Sequence, residues 1–426
     1  MTTPNPPILG DAHVDAGLLR QAHACAAALA RRGIRRGDRL AVDSPETLGW
    51  FLGADLLGAA TLVVEPSWTP RERDAVLAQV GPHHVVSGSV PPPDGVTVAP
   101  QGDGETHFYL PTTSGSGGRP KVLIRTRSSW TLSFTALGDL PGPVLVPGPL
   151  SSSLFLFGAL HALATGAELH HRPRWSPEHA RGAVSVHLVP AMLASLVHEL
   201  ERRPGPCALR TVVCGGAHLA PALRARFTRV LPDAELIEYY GSAEHSLIAI
   251  RRGEGDLRPV PGVELRTRDS ILWVRSPLTF SGYLRDGALE PAGSGWSTAG
   301  DRAELSASGA LTVHGRDSTT ISSGGKLVAA EEVESVLRDV PGVEDVLVAG
   351  TPHPRFGTVV TAIIEAHDPP ALARLRAVVR ARLEPGKRPR RWLVTSELPR
   401  TPSGKAARAV VAEQLGAGTL RSEPLR

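Results

Sequence analysis

Helical and buried-strand patterns alternate through the first eighty residues, and a chain built that way has few folds open to it. Val14, Leu18, Leu19, Ala22, Ala26 and Leu29 recur at helical spacing between residues 14 and 32. Arg39-Leu40-Ala41-Val42 reads as a strand, Thr47 to Leu57 as a second helix and Thr61-Leu62-Val63-Val64 as the next strand. A further helix is predicted from about Pro70. Such alternation predicts an α/β protein with layered sheets and helices. At 426 residues the chain also exceeds what one core holds, so two or more domains are expected.

Between two apolar runs, Phe108-Tyr109-Leu110 and Val122-Leu123-Ile124, lies Thr112-Thr113-Ser114-Gly115-Ser116-Gly117-Gly118-Arg119-Pro120-Lys121. The flanking runs read as strands, which makes the segment a hairpin loop. Glycines let the backbone turn its N–H groups inward, and such a concavity binds anions. Hydroxyls add donors and Lys121 adds a point charge, so a polyphosphate suits the loop. A flexible polar hairpin is the plainer alternative. A Walker loop requires Gly-Lys-Ser/Thr opening a helix, whereas Pro120 precedes this lysine and Val122 follows it. The glycine spacing also differs from a dinucleotide fingerprint.

Composition narrows the partners. No apolar run approaches the ~18–20 residues of a membrane span, and Met1 to Pro7 lacks the features of a signal peptide. Cys25, Cys207 and Cys214 are odd in number and not spaced for a metal, which predicts thiols in a reducing, cytoplasmic setting. A net charge of +4 suits small anionic ligands and calls for neither nucleic acid nor membrane. Lysine occurs only at Lys121, Lys326, Lys387 and Lys405. Where arginine is the default cation, a lysine points to a compact ammonium on a flexible stem.

Further motifs follow in order. From Pro143 to Ala167 the chain is apolar and turn-rich, with Ser151-Ser152-Ser153 and no acidic residue. The triple serine reads equally as an ordinary loop or a pocket wall. The strand Leu209 to Val213 runs into Gly215-Gly216-Ala217. Then come Tyr240-Gly241-Ser242-Ala243-Glu244, the turn Gly282-Tyr283-Leu284, and Gly295-Trp296-Ser297-Thr298-Ala299-Gly300-Asp301. Gly315-Arg316-Asp317-Ser318-Thr319 precedes Gly324-Gly325 and Glu331-Glu332-Val333-Glu334. A compact α/β unit follows, with Leu398-Pro399-Arg400-Thr401-Pro402-Ser403-Gly404-Lys405 near its end and a short helix and tail after Arg408.

Taken together, these motifs resemble those of the adenylate-forming superfamily, and the chain is similar to a compact bacterial acyl-CoA synthetase of the o-succinylbenzoate or fatty-acid type. The resemblance spans essentially the whole chain. It departs from the family pattern at Val122, Ala243, Ala299, Ser318 and Thr319. It implies a large N-terminal domain of layered β/α subdomains, residues 1–317. A small mobile C-terminal α/β domain, residues 318–426, carries the catalytic lysine.

The implied activity joins ATP to a small carboxylic acid as an acyl-adenylate, then forms a thioester with coenzyme A. A carrier protein or an amine is the alternative acceptor, and a non-catalytic homologue the alternative role. By resemblance, Thr113, Ser114, Gly115, Ser116, Gly117, Gly118 and Lys121 hold the β- and γ-phosphates. Gly215, Gly216, Tyr240, Gly241 and Ser242 surround adenine and the α-phosphate. An aromatic face can stack on the base. Glu244 holds Mg²⁺, while Asp301 and Arg316 fix the ribose. Lys405 bridges carboxylate and α-phosphate, and Gly324 and Gly325 open a tunnel for the thiol. Amino-acid-activating relatives carry a carboxylate roughly where Ser153 stands, so an acid without an α-amino group is expected.

Overall fold

The computed structural model describes residues 15–113, 121–216, 219, 221–316, 320–399, 406 and 408–426. The chain forms two compact units. One is built from the chain up to Gly315. The other takes Arg316–Arg426 together with Ser67–Ala75, Thr113 and Lys121.

In the first unit, Asp15 caps the helix Ala16–Arg31 by accepting from the Gly17 N–H at 3.0 Å. The buried Ala22, Cys25, Ala26 and Leu29 of that helix pack on the helix Thr47–Leu56. Contact is close, because a Cβ on Gly53 would stand 2.6 Å from that of Cys25. These helices cover an eight-stranded sheet in which Ala60–Val63 and Arg39–Val42 run parallel near one edge. Lys121–Thr126 is flanked by His107–Tyr109 and Gly282–Arg285, and the short strand Thr112–Thr113 also pairs with it. A second sheet of seven strands orders Glu235–Ser242, Thr211–Cys214, Ser185–Leu188, Val144–Val146 and Leu169–His171 in parallel. A third sheet contains Ile271–Arg275, Asp301–Leu305 and Leu311–Arg316.

Three local expectations are corrected. The stretch Pro143 to Ala167 is not mainly turns, because Ser153–Ala164 is a helix that is apolar nearly all round and largely buried. Gly282-Tyr283-Leu284 is not a turn but part of a strand antiparallel to Lys121–Thr126. The tail after Arg408 does not simply run out, since Glu423–Pro424 pairs with Arg391–Thr395.

The second unit has the hairpin Thr320–Ser323 and Lys326–Ala329, turned by Gly324 and Gly325 at φ 58° and 86°. Glycine alone adopts two such angles in succession without strain. The helices Ala330–Arg338 and Leu372–Arg382 pack with the sheet of Asp345–His353, Gly357–Glu365 and Arg391–Thr395 around Val333, Leu337 and Ile364.

Candidate functional site

Parallel strands in an open sheet leave a crevice beyond their carboxyl ends, deepest where successive connections leave in opposite directions. In the second sheet that point lies between Val144–Val146, which connects to Leu169–His171 on one side, and Ser185–Leu188, which connects to Thr211–Cys214 on the other. Ser151 to Ser153 follow the first of these strands and Val189 the second. Gly215 and Gly216 follow the neighbouring strand Thr211–Cys214. A Cβ on Gly215 would lie 2.3 Å from the Tyr239 ring, so only glycine fits there. Gly216, at φ 84°, lies against Leu154 and Val189. Gly241 is equally constrained, because its Cβ would meet the Ser246 carbonyl oxygen at 2.1 Å.

Tyr240 and Asp301, far apart in sequence, meet here. The Tyr240 hydroxyl donates to Asp301 Oδ2 at 2.5 Å, and Asp301 is buried at the start of its strand. His245 makes a second tie, with Nδ1 at 3.0 Å from Ser242 Oγ and Nε2 at 2.8 Å from Ser297 Oγ. The motif ending at Glu244 and the motif ending at Asp301 are thus parts of one framework.

Glu244 is fixed twice. Its carbonyl accepts from the Phe280 N–H at 2.8 Å, and Tyr283 Oη donates to its Oε1 at 3.1 Å. Tyr283 lies opposite Leu123, on the strand that leaves the glycine loop. Arg125, on the same strand and 1% exposed, donates to the carbonyls of Ala243 and Leu278 and to that of Ser129. Burial pulls its guanidinium down to about 9 and Glu244 pulls it back up, so it remains cationic at neutral pH. Sequence reading missed Arg125 as a site residue, although an arginine inside an otherwise apolar strand is a visible signal. It also missed the Tyr283–Glu244 bond, which no spacing announces.

Of the other expected residues, Thr113 is half-buried and Lys121 exposed at the two ends of the loop. Ser114, Gly115, Ser116, Gly117, Gly118 and Lys405 lie outside the described residues. Arg316 closes the strand Leu311–Arg316, and Gly324 and Gly325 belong to the second unit. Near the crevice, the Tyr109 and Ser153 hydroxyls share a hydrogen bond of 2.9 Å. Burial pushes the Tyr109 phenol up to about 12, so it stays protonated. Ser151 Oγ donates to Glu65 Oε2 at 2.7 Å. The stretch from Pro143 to Ala167 has no carboxylate of its own, but Glu65 supplies one from another strand connection.

The family model of the AMP-binding enzymes matches residues 16–284, which is more than half of the chain. The chain belongs to the AMP-binding enzyme family. The model of the family's C-terminal domain matches residues 332–405. This AMP-binding enzyme is 28% identical to YhfT, an uncharacterized acyl-CoA ligase of Bacillus subtilis, over 89% of this chain and 88% of that one. It shares its fold with o-succinylbenzoate CoA synthetase MenE of Bacillus subtilis, at a TM-score of 0.86, 23% identity and 100% of both chains. The amide bond synthetase McbA of Marinactinospora thermotolerans superposes at a TM-score of 0.82, with 26% identity and 94% of each chain covered.

Proposed function

We propose that this AMP-binding enzyme activates a carboxylic acid lacking an α-amino group with ATP, and passes the acyl group to coenzyme A. The observation that carries the reading is the Tyr240–Asp301 pair beside Gly215 and Gly216, with Glu244 held close by in the same framework. The acid's carboxylate oxygen attacks the α-phosphorus and displaces pyrophosphate. The thiol sulfur then attacks the acyl carbon, AMP leaves, and the thiol proton passes to solvent.

The residues take the following parts. Tyr240 stacks on adenine, while Asp301 and Arg316 accept and steer the ribose. Thr113, Lys121 and the glycine loop between them cradle the β- and γ-phosphates. Lys405 places its ammonium where negative charge develops. The domain 318–426 turns about Ser318, withdrawing Lys405 and presenting Gly324 and Gly325 to the thiol. Glu244 would hold magnesium, which offsets phosphate charge when bound. Among the described residues no group of three or more His, Cys, Asp or Glu could hold a metal. One carboxylate fits an ion held mostly by phosphate oxygens and water.

An amine in place of the thiol is the second reading, favoured by the likeness to an amide bond synthetase. Calorimetry tests the nucleotide site in either case. Asp301→Ala removes a charged acceptor from two hydroxyls and is expected to weaken ATP binding by about 2–3 kcal/mol, with acid binding little changed. Unaltered ATP affinity would reject the ribose assignment.

A further inference from the structure

A carboxylate holds an ion well when it is aimed before the ion arrives, and for Glu244 the aiming can be followed atom by atom. The segment 278–283 reaches it at two points. The Phe280 N–H donates to the Glu244 carbonyl at 2.8 Å, and Tyr283 Oη donates to Glu244 Oε1 at 3.1 Å. The Phe280 ring also meets the Tyr283 ring edge to face at 4.8 Å. The residue that holds the main chain thus braces the one that holds the side chain. Tyr283 is set by its strand: Gly282–Arg285 buries Gly282 and Leu284 and turns Tyr283 to the other face, opposite Leu123.

Arg125 locks that segment to the turn bearing Glu244. It stands two residues beyond Leu123 on one strand, hence on the same face. Its guanidinium donates to the carbonyls of Ala243 and Leu278. Ala243 directly precedes Glu244, and Leu278 opens the segment that carries Phe280 and Tyr283. Arg125 is 1% exposed, and its hydrogen bonds go to carbonyl oxygens rather than to a carboxylate. A buried cation without an ion pair costs stability, so the backbone it ties together is the reason for its place. The rigid guanidinium fork suits that task, because it can hold separate carbonyls at once.

We propose that Tyr283 and Arg125 are positioning residues for Glu244: Tyr283 occupies Oε1 so that Oε2 is the oxygen offered to the metal, while Arg125 fixes the backbone that carries the carboxylate. Glu244 is half-buried, and among the described residues its carboxylate takes no other hydrogen bond or ion pair. One oxygen toward the ion suits magnesium, which takes one or two carboxylates and fills its other positions with phosphate oxygens and water. The inference rests on the proposed metal role of Glu244 and adds the residues that make it work. Partners that orient a metal ligand in this way are worth about 10- to 100-fold in metal affinity.

The test is calorimetric and needs no turnover. A non-hydrolysable ATP analogue is titrated into the full chain with and without Mg²⁺, and the ratio of the two affinities reports how strongly the ion is coupled to the site. Wild type, Tyr283→Phe, Arg125→Lys, Glu244→Gln and the double variant Tyr283→Phe/Glu244→Gln are compared. Tyr283→Phe keeps the ring and removes one hydroxyl. It should cut the Mg²⁺ enhancement by about 10- to 100-fold and leave the Mg²⁺-free affinity unchanged. Arg125→Lys keeps the charge but not the fork; it should cut the enhancement too, and it carries the test if Tyr283→Phe does not fold. In the Glu244→Gln background, loss of the hydroxyl should cost nothing further, because a residue acting through Glu244 then has nothing to aim. A wild-type enhancement in both Tyr283→Phe and Arg125→Lys, or a loss in the double variant as large as Tyr283→Phe adds alone, overturns the inference and leaves Glu244 as metal ligand. An enhancement that survives Glu244→Gln, or that wild type lacks, refutes the metal role and this inference with it.

Discussion

His187 is fully buried on the strand Ser185–Leu188, and among the described residues neither of its ring nitrogens has a hydrogen-bond partner. His161, from the helix Ser153–Ala164, faces it at 6.3 Å between ring centres. Burial pulls His187 down to about 3 and His161 down to about 4. Both are therefore neutral in the folded protein, whereas the unfolded chain takes up protons near 6.5. Their contribution is complete above pH 6.5 and is lost as pH falls toward the folded values, by about 1.4 kcal/mol per pH unit per histidine. Urea unfolding of His187→Leu should show a shallower decline than wild type between pH 6.5 and 5. Parallel curves would contradict this assignment.

Single residues were legible where a motif named them and illegible where partners are distant in sequence. His245, which belongs to none of the motifs, links two of them through Ser242 and Ser297. The scarcity of lysine drew notice to Lys121 and Lys405, but Lys387 also uses a compact ammonium. It is buried in the second unit at 3.0 Å from Glu72 and 2.8 Å from Glu332.

At the scale of elements, periodicity served well where one face was apolar and failed where every face was. The helix Ala16–Arg31 and the strand Arg39–Val42 stand where the pattern placed them. The helix Ser153–Ala164 escaped because an element apolar nearly all round has no 3.6-residue contrast to detect. Gly282–Arg285 escaped although it forms a hairpin with the neighbouring Ala288–Pro291 across Asp286-Gly287, a turn signal present in the sequence; only its other partner, Lys121–Thr126, is remote. Helix contact gives a direct check on the packing. On Gly53→Ala the new methyl would stand 2.6 Å from Cys25 Cβ and 2.9 Å from the Ala22 carbonyl oxygen. Overpacking there should cost about 1–3 kcal/mol despite the better helix propensity of alanine. Gly182→Ala, in open space after the helix Pro177–Arg181, should cost far less. Equal thermal midpoints for the two variants would contradict a tight contact between the helices.

For the whole molecule, the order of motifs from Thr112 to Lys405 carried the family, and the α/β layering carried the fold. No one motif could give the framework that joins Tyr240, Asp301, Glu244 and Arg125, because its residues stand on or beside strands of three different sheets. Among the described residues no helix is long and apolar enough to cross a membrane. In the proposed mechanism one chain activates an acid with ATP and then transfers it, using Lys405 for the first half only. The most direct measurement follows both halves in wild type and Lys405→Ala: pyrophosphate release from ATP with a panel of aryl and aliphatic acids, and thioester formation from supplied acyl-adenylate and coenzyme A. Wild type should perform both. Lys405→Ala should lose roughly 10²–10³ in the first and keep the second nearly intact. No acid-dependent pyrophosphate from wild type, or an equal loss in both halves in the variant, would contradict the account.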